Sequence, residues 1–286
     1  MDNAAVIRLV CFGGVLLLMA LWEVLAPRRR LTVGRPVRWA SNLGLVALNT
    51  LAARFLVPAG AVGVAVVAEK NGWGLFHDAA LPAWLVVTLA VIALDLAIYL
   101  QHVMFHAVPL LWRLHMVHHA DLDFDVTTGI RFHTIEIVLS LGIKAAAIVL
   151  LGAPALAVLI FEVLLNGTSM FNHGNVRLPA WLDRLLRLVV VTPEMHRVHH
   201  SVYPRETNSN FGFNLPWWDF LFGTYRAQPA DGHEAMTIGL RHLRDERRNE
   251  QLQWMLLLPF LGLTGDYPLN RGGELSNPTA PKTPRG

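Results

Sequence analysis

Histidine is the residue type in this chain whose number and spacing point to chemistry. There are 13 histidines against a single cysteine, Cys11. His102 and His106 form one cluster, His115, His118 and His119 a second, and His196, His199 and His200 repeat the spacing of the second. On a helix, positions i, i+3 and i+4 share a face, so each cluster is expected to present its imidazoles in one direction. Eight imidazoles exceed the three or four protein ligands of one zinc ion and suit two metal ions. Imidazole serves zinc, copper, iron and nickel alike, so ligand type leaves the metal open. The ligand number and the lack of an H-E-x-x-H sequence argue against a zinc protease. With one cysteine, neither an intrachain disulfide nor a cysteine-based zinc or iron–sulfur site can form.

Four more positions are candidate ligands or supporting groups: His133, Glu136, His173 and Glu194. Of these, His173 is taken as a ninth ligand. His77, His233 and His242 stand alone and are read as structural. Trp217 and Trp218 are read as interfacial anchors. Lys144 is assigned no role, because a long-stemmed side chain can snorkel. Asp121, Asp123 and Asp125 have the spacing of a calcium loop but lack its glycine and closing glutamate, and are read as a charged loop beside the metal site.

The elements that must position these residues are apolar. Hydrophobic residues make up 53% of the 286 and charged residues 16%, with a mean hydropathy of +0.41. That balance indicates a membrane protein, and the net charge of +3 comes without any nucleic-acid-binding pattern. Apolar runs cover Ala4–Ala26, Leu43–Ala68 and Leu81–Leu100. Ala4–Ala26 is read as a retained helix and not a signal peptide, since Arg28, Arg29 and Arg30 follow it. Ile135–Leu165 is too long for one crossing. Gly152-Ala153-Pro154 divides it into a hairpin, which returns the chain to one side and puts every histidine cluster on the same face. Arg28, Arg29, Arg30, Arg35 and Arg38 on that side, against Lys70 on the other, make it the cytoplasmic face. Trp254–Leu263 is too short to span and is read as an interfacial or docked helix. The tail from Gly272 to Gly286 is read as disordered.

In order and flanking residues the clusters resemble the fatty acid hydroxylase / sterol desaturase superfamily, the membrane histidine-box oxygenases. The resemblance rests on Leu111–His119, on Thr127–Glu136 with Arg131, on Asn172–Asn175 followed by Leu178-Pro179, on Thr192–His200, and on Trp218-Asp219 with Phe222–Tyr225. It covers residues 85–230. One departure stands out: where some members carry a second histidine after the His173 position, this chain has Arg177. The ligand set is therefore completed by water or by Asn175, if at all.

The resemblance implies an all-α integral membrane helical bundle with a cytoplasmic, histidine-rich di-metal cap. Residues 1–80 would form N-terminal transmembrane helices, 81–230 the catalytic domain, and 231–286 an amphipathic segment and tail. It implies a non-haem di-iron site of two Fe ions that uses O2 to hydroxylate or desaturate a lipid. Glu136, Glu194, Asp121 and Asp219 are the expected acceptors for imidazole N–H groups. No G-x-G-x-x-G fingerprint or cysteine cluster accompanies the histidines, so electrons are expected from a separate reductase, ferredoxin or cytochrome. An ether-lipid monooxygenase, a zinc-dependent membrane hydrolase and a metal transporter are the competing readings. The membrane is expected to be a bacterial inner membrane or one like the ER.

Overall fold

The computed structural model describes residues 3–269. The Gly272–Gly286 tail, expected to be disordered, lies outside the described residues. Within them the chain is helical, with two isolated β-bridges and no strand.

Five helices are long and apolar enough to cross a membrane. They are α1 (Ala4–Leu25), the stretch Arg35–Lys70 that begins with α2 (Arg35–Leu56), α4 (Ala83–Ala107), α6 (Thr134–Leu151) and α7 (Ala155–Asn172). The short α3 (Gly60–Lys70) follows α2 after a break at Val57-Pro58-Ala59, as expected where proline cannot donate to the preceding turn. Helix α1 shows what faces lipid: Leu9, Leu17 and Leu25 are each at least 70% exposed. A soluble fold could not leave so many large apolar side chains in water.

The expected span Leu43–Ala68 lies within the stretch Arg35–Lys70, which starts eight residues earlier and is broken between α2 and α3. Hydropathy hid its start because polar residues there face the protein: Arg38, Ser41 and Asn42 are buried, while Val37 points outward. Asn49, further along, is buried too. Asn42 Nδ2 donates to Thr127 Oγ1 at 2.9 Å and Asn49 Nδ2 to the Phe132 carbonyl at 2.9 Å.

The α6–α7 hairpin breaks where expected. Gly152 caps α6 in the left-handed region, with φ 63°, which glycine adopts without steric cost. Pro154 then opens α7. The Gly74–Phe76 segment is pinned to this turn by Leu75 N to Leu150 O and Phe76 N to Leu151 O, at 3.0 and 2.8 Å. The 71–82 loop therefore lies at the end of the bundle opposite the histidines.

At the histidine end, α4 runs into α5 (Pro109–His119). The first two of the short helices that follow α7 are α8 (Ala180–Leu186) and α9 (Pro193–His199). The segment expected to be an interfacial or docked helix is docked. Met255 and Leu258 are buried beside Trp112, Met116 and Val117 of α5.

Candidate metal centre

All nine histidines singled out as ligands converge. They form two adjacent groups, one of His102, His106, His115, His119 and His199, the other of His118, His173, His196 and His200, all buried. Within each group the ligand atoms lie within 4.8 Å of one another. The expectation that each cluster points one way is corrected. Each H-x-x-H-H triad is split, with His115 and His119 in one group and His118 in the other, and His196 and His200 in one and His199 in the other. Residues i and i+4 stay together, while i+3 is rotated around the helix far enough to serve the neighbouring group. One short helix thus supplies both groups. The groups touch: the rings of His119 and His200 stack at 4.6 Å.

Several of the rings have fixed tautomers. His102 Nδ1 donates to the Phe211 carbonyl, His199 Nδ1 to that of Ser209 and His173 Nδ1 to that of Ser169, each at 2.7 Å. A carbonyl only accepts, so in a neutral ring each Nε2 is left as a lone pair. His115 Nδ1 donates to Glu136 Oε1 at 2.6 Å, with the same consequence. Yet His102 Nε2 lies 3.1 Å from both His115 Nε2 and His199 Nε2. Three acceptors facing each other repel, and a cation between them turns the arrangement favourable.

In the other group His173 Nε2 is the hub, at 3.2, 3.2 and 3.1 Å from the Nε2 atoms of His118, His200 and His196. The Nδ1 atoms of those three rings are buried without a hydrogen-bond partner. One lone pair cannot satisfy three neighbouring rings, so these donors too fit a metal ion.

Burial pushes His115 and His173 down to about 3. It drives His118, His119, His196, His199 and His200 well below the ordinary range, and neighbouring imidazoles add to the effect. These rings are neutral at pH 7, the form that binds metal.

The supporting groups differ from expectation. Glu136 lies where expected, on His115, in the first turn of α6, where a carboxylate also suits the helix dipole. Asp219 acts indirectly. Its carboxylate accepts from the N–H groups of Phe211 and Gly212 at 2.8 and 2.9 Å, fixing the residue whose carbonyl holds His102.

The remaining four are corrected, because each side chain is committed elsewhere. Asp121 takes Arg38 Nε and Thr128 Oγ1, both at 2.7 Å, and the charged loop read at Asp121–Asp125 is buried. Glu194 pairs with Arg28 at 2.9 Å and Arg197 at 3.4 Å, with His233 at 2.9 Å. Asn175 bonds the Arg29 backbone with both Oδ1 and Nδ2. His133 caps α6, its Nδ1 accepting from Ile135 N.

Several contributors were missed. Asn208 Oδ1 accepts from His106 Nδ1 at 3.0 Å. Asn210 sits in the left-handed region at φ 52°, and its side chain bonds the carbonyls of Met195 and Arg226 and the Arg226 N–H. It thereby shapes the loop whose flanking carbonyls, Ser209 and Phe211, hold His199 and His102. The run Asn208-Ser209-Asn210-Phe211-Gly212 carried the signal, since asparagine and serine favour turns and asparagine tolerates the left-handed region. Glu23 of α1 is buried and accepts from the N–H groups of Val126 and Asn175 at 3.0 and 3.1 Å, tying α1 to the loop that follows His173.

Comparison with known proteins agrees with this geometry. Residues 87–224 match the sequence model of the fatty acid hydroxylase family. An ornithine lipid hydroxylase of Rhizobium tropici is 32% identical over 143 residues, covering 50% of this chain and 42% of that protein. Human alkylglycerol monooxygenase is 27% identical over 54% of this chain and 32% of its own length. Human cholesterol 25-hydroxylase is 29% identical over 49% of this chain and 51% of its own. The chain thus spans about half or less of the length of these curated relatives. No solved structure matches it.

Proposed function

We propose that the chain, an integral membrane protein whose residues 87–224 match the fatty acid hydroxylase family, is a di-iron oxidoreductase that hydroxylates a lipid C–H bond. The balance is R–H plus O2 plus two electrons and two protons, giving R–OH and water. The observation that carries this reading is the pair of adjacent buried imidazole groups whose lone pairs converge.

The first iron is assigned to His102, His106, His115, His119 and His199, and the second to His118, His173, His196 and His200. When bound, such a pair supplies O2 activation and abstraction of hydrogen from an unactivated carbon. The chain's own part is to keep the rings neutral by burial, to hold the Nδ1 protons of His102, His106, His115, His173 and His199 on fixed acceptors, and to exclude bulk water. His102 and His106 lie in the last two turns of α4, at the edge of the apolar layer, where a lipid chain can approach laterally. The relatives named as lipid hydroxylases and monooxygenases support a lipid substrate.

Electrons are assigned to a separate reductase, ferredoxin or cytochrome. The histidine end is assigned to the cytoplasmic side from its excess of arginine. Whether an alcohol or an alkene leaves the site depends on how the substrate carbon is placed, and product analysis decides it.

The test is iron analysis and Mössbauer spectroscopy of anaerobically purified protein enriched in iron-57, beside His118→Ala. About two irons per chain with a coupled signal, disturbed in the variant, is the expected result. One tightly bound zinc and no iron, after expression with ample iron, would overturn the reading in favour of a zinc hydrolase.

A further inference from the structure

Away from the histidines, a cavity of about 530 Å³ opens between the Arg28–Thr32 segment and residues 234–238, with Arg244 at its wall. Four guanidiniums line it against one carboxylate, Glu234. Their partners divide them. Arg28 is neutralised by Glu194 at 2.9 Å and by Glu234. Arg29 donates to the carbonyls of His233 and Met236 at 2.9 and 2.5 Å, and Arg244 to that of Ile238 at 2.6 Å. A backbone carbonyl orients a guanidinium without cancelling its charge. Arg30 is exposed. None of Arg29, Arg30 and Arg244 forms an ion pair among the described residues.

We propose that this cavity is a binding site for a phosphate group, filled by the headgroup of an anionic membrane lipid. The planar fork of arginine matches phosphate oxygens two at a time. Two of these three guanidiniums are already held by carbonyls, so little side-chain freedom remains to be lost on binding. The position fits a headgroup. Arg28 stands three residues beyond the end of α1, whose outward face is apolar to Leu25. That short reach ends within the several-ångström headgroup layer that borders the hydrocarbon core. The volume suits a small headgroup, whereas a protein partner would need a broad surface. The site does not depend on the oxygenase reading. It does adjoin the second histidine group, because Arg28 holds Glu194 of α9, and Arg197 of α9 lies over Phe124, whose ring stacks on His173 at 5.4 Å.

The experiment is a binding titration of the full chain in neutral detergent. The probes are short-chain phosphatidic acid and phosphatidylcholine, with inorganic phosphate as competitor. Saturable binding of phosphatidic acid is expected, with phosphatidylcholine much weaker. Arg30→Gln should weaken it about 5-fold, and Arg30→Glu more, since each arginine near a bilayer surface contributes on the order of one such factor. Arg30 has an exposed side chain, so these variants should fold; Arg29→Gln and Arg244→Gln extend the series. Arg184→Gln, on α8, removes the same charge elsewhere and should leave binding unchanged. Displacement by inorganic phosphate would assign the site to the free anion, and resistance to it would assign the site to the lipid; either upholds a phosphate site. Equal binding of both lipids, or equal weakening by Arg184→Gln and Arg30→Gln, would overturn it.

Discussion

At the scale of single residues, the proposed site works by fixing protons. Nδ1 of His102, His173 and His199 is held by main-chain carbonyls, which no substitution removes directly. His106 and His115 are held by side chains instead, Asn208 and Glu136, and the second carboxylate oxygen of Glu136 is buried without a partner. Glu136→Leu deletes that acceptor and leaves the His115 tautomer free to reverse. Metal affinity should fall by about 10- to 100-fold, the usual cost of losing a group that orients a ligating imidazole. Glu136→Gln keeps a carbonyl oxygen for Nδ1–H, so it should fall between wild type and Leu. Metal titration of the apo-protein measures both. Unchanged affinity in Glu136→Leu would remove Glu136 from the site.

At the scale of elements, what the sequence revealed was local and what it concealed was not. The histidine spacing, the apolar runs and the Gly152–Pro154 break are each legible within a few residues, and nine of the candidate ligands do meet. The splitting of each triad between two groups was not legible. It depends on how α5 and α9 are rotated against α4 and α7, which periodicity does not encode. The polar start of α2 escaped because its polar face is satisfied by distant partners. Arg38, for example, bonds Asp121 and Asp125 at 2.7 and 2.6 Å.

Another non-local contact places the second group. Gly129, in the short 3-10 turn Thr128–Ile130, lies against α7 so closely that a Cβ there would meet Ser169 O at 2.5 Å and His173 Nδ1 at 3.1 Å. Ser169 O is the acceptor that orients His173, and Ser169 Oγ donates to Gly129 O at 2.7 Å. Gly129→Ala must therefore push that carbonyl away. The expected outcome is disturbance of the group built on His173, with the group built on His102 preserved: two unequal iron sites by Mössbauer spectroscopy, one of them native. Gly142→Ala, where an added Cβ meets nothing within 4 Å, is the control. Equal loss of both sites would mean that the turn supports the bundle as a whole.

At the scale of the whole molecule, the five long helices carry the chain back and forth between two ends of different chemistry. One end gathers the histidine groups, the arginine-lined cavity and the docked segment after residue 231. The other holds the α6–α7 turn and the 71–82 loop against it. The assignment of the first end to the cytoplasm rests on Arg28, Arg29, Arg30, Arg35 and Arg38 against Lys70, and it predicts an accessibility pattern. Cys11 is the only cysteine, so a Cys11→Ser background is blank to thiol reagents. Asp78 is fully open, its side chain 97% exposed, and Arg247 is exposed near the opposite end. In intact cells a membrane-impermeant maleimide should label Asp78→Cys, and should label Arg247→Cys only after permeabilisation. The reverse pattern would place both histidine groups outside the cell, beyond reach of cytoplasmic electron donors, and the proposed supply of electrons would fail with it.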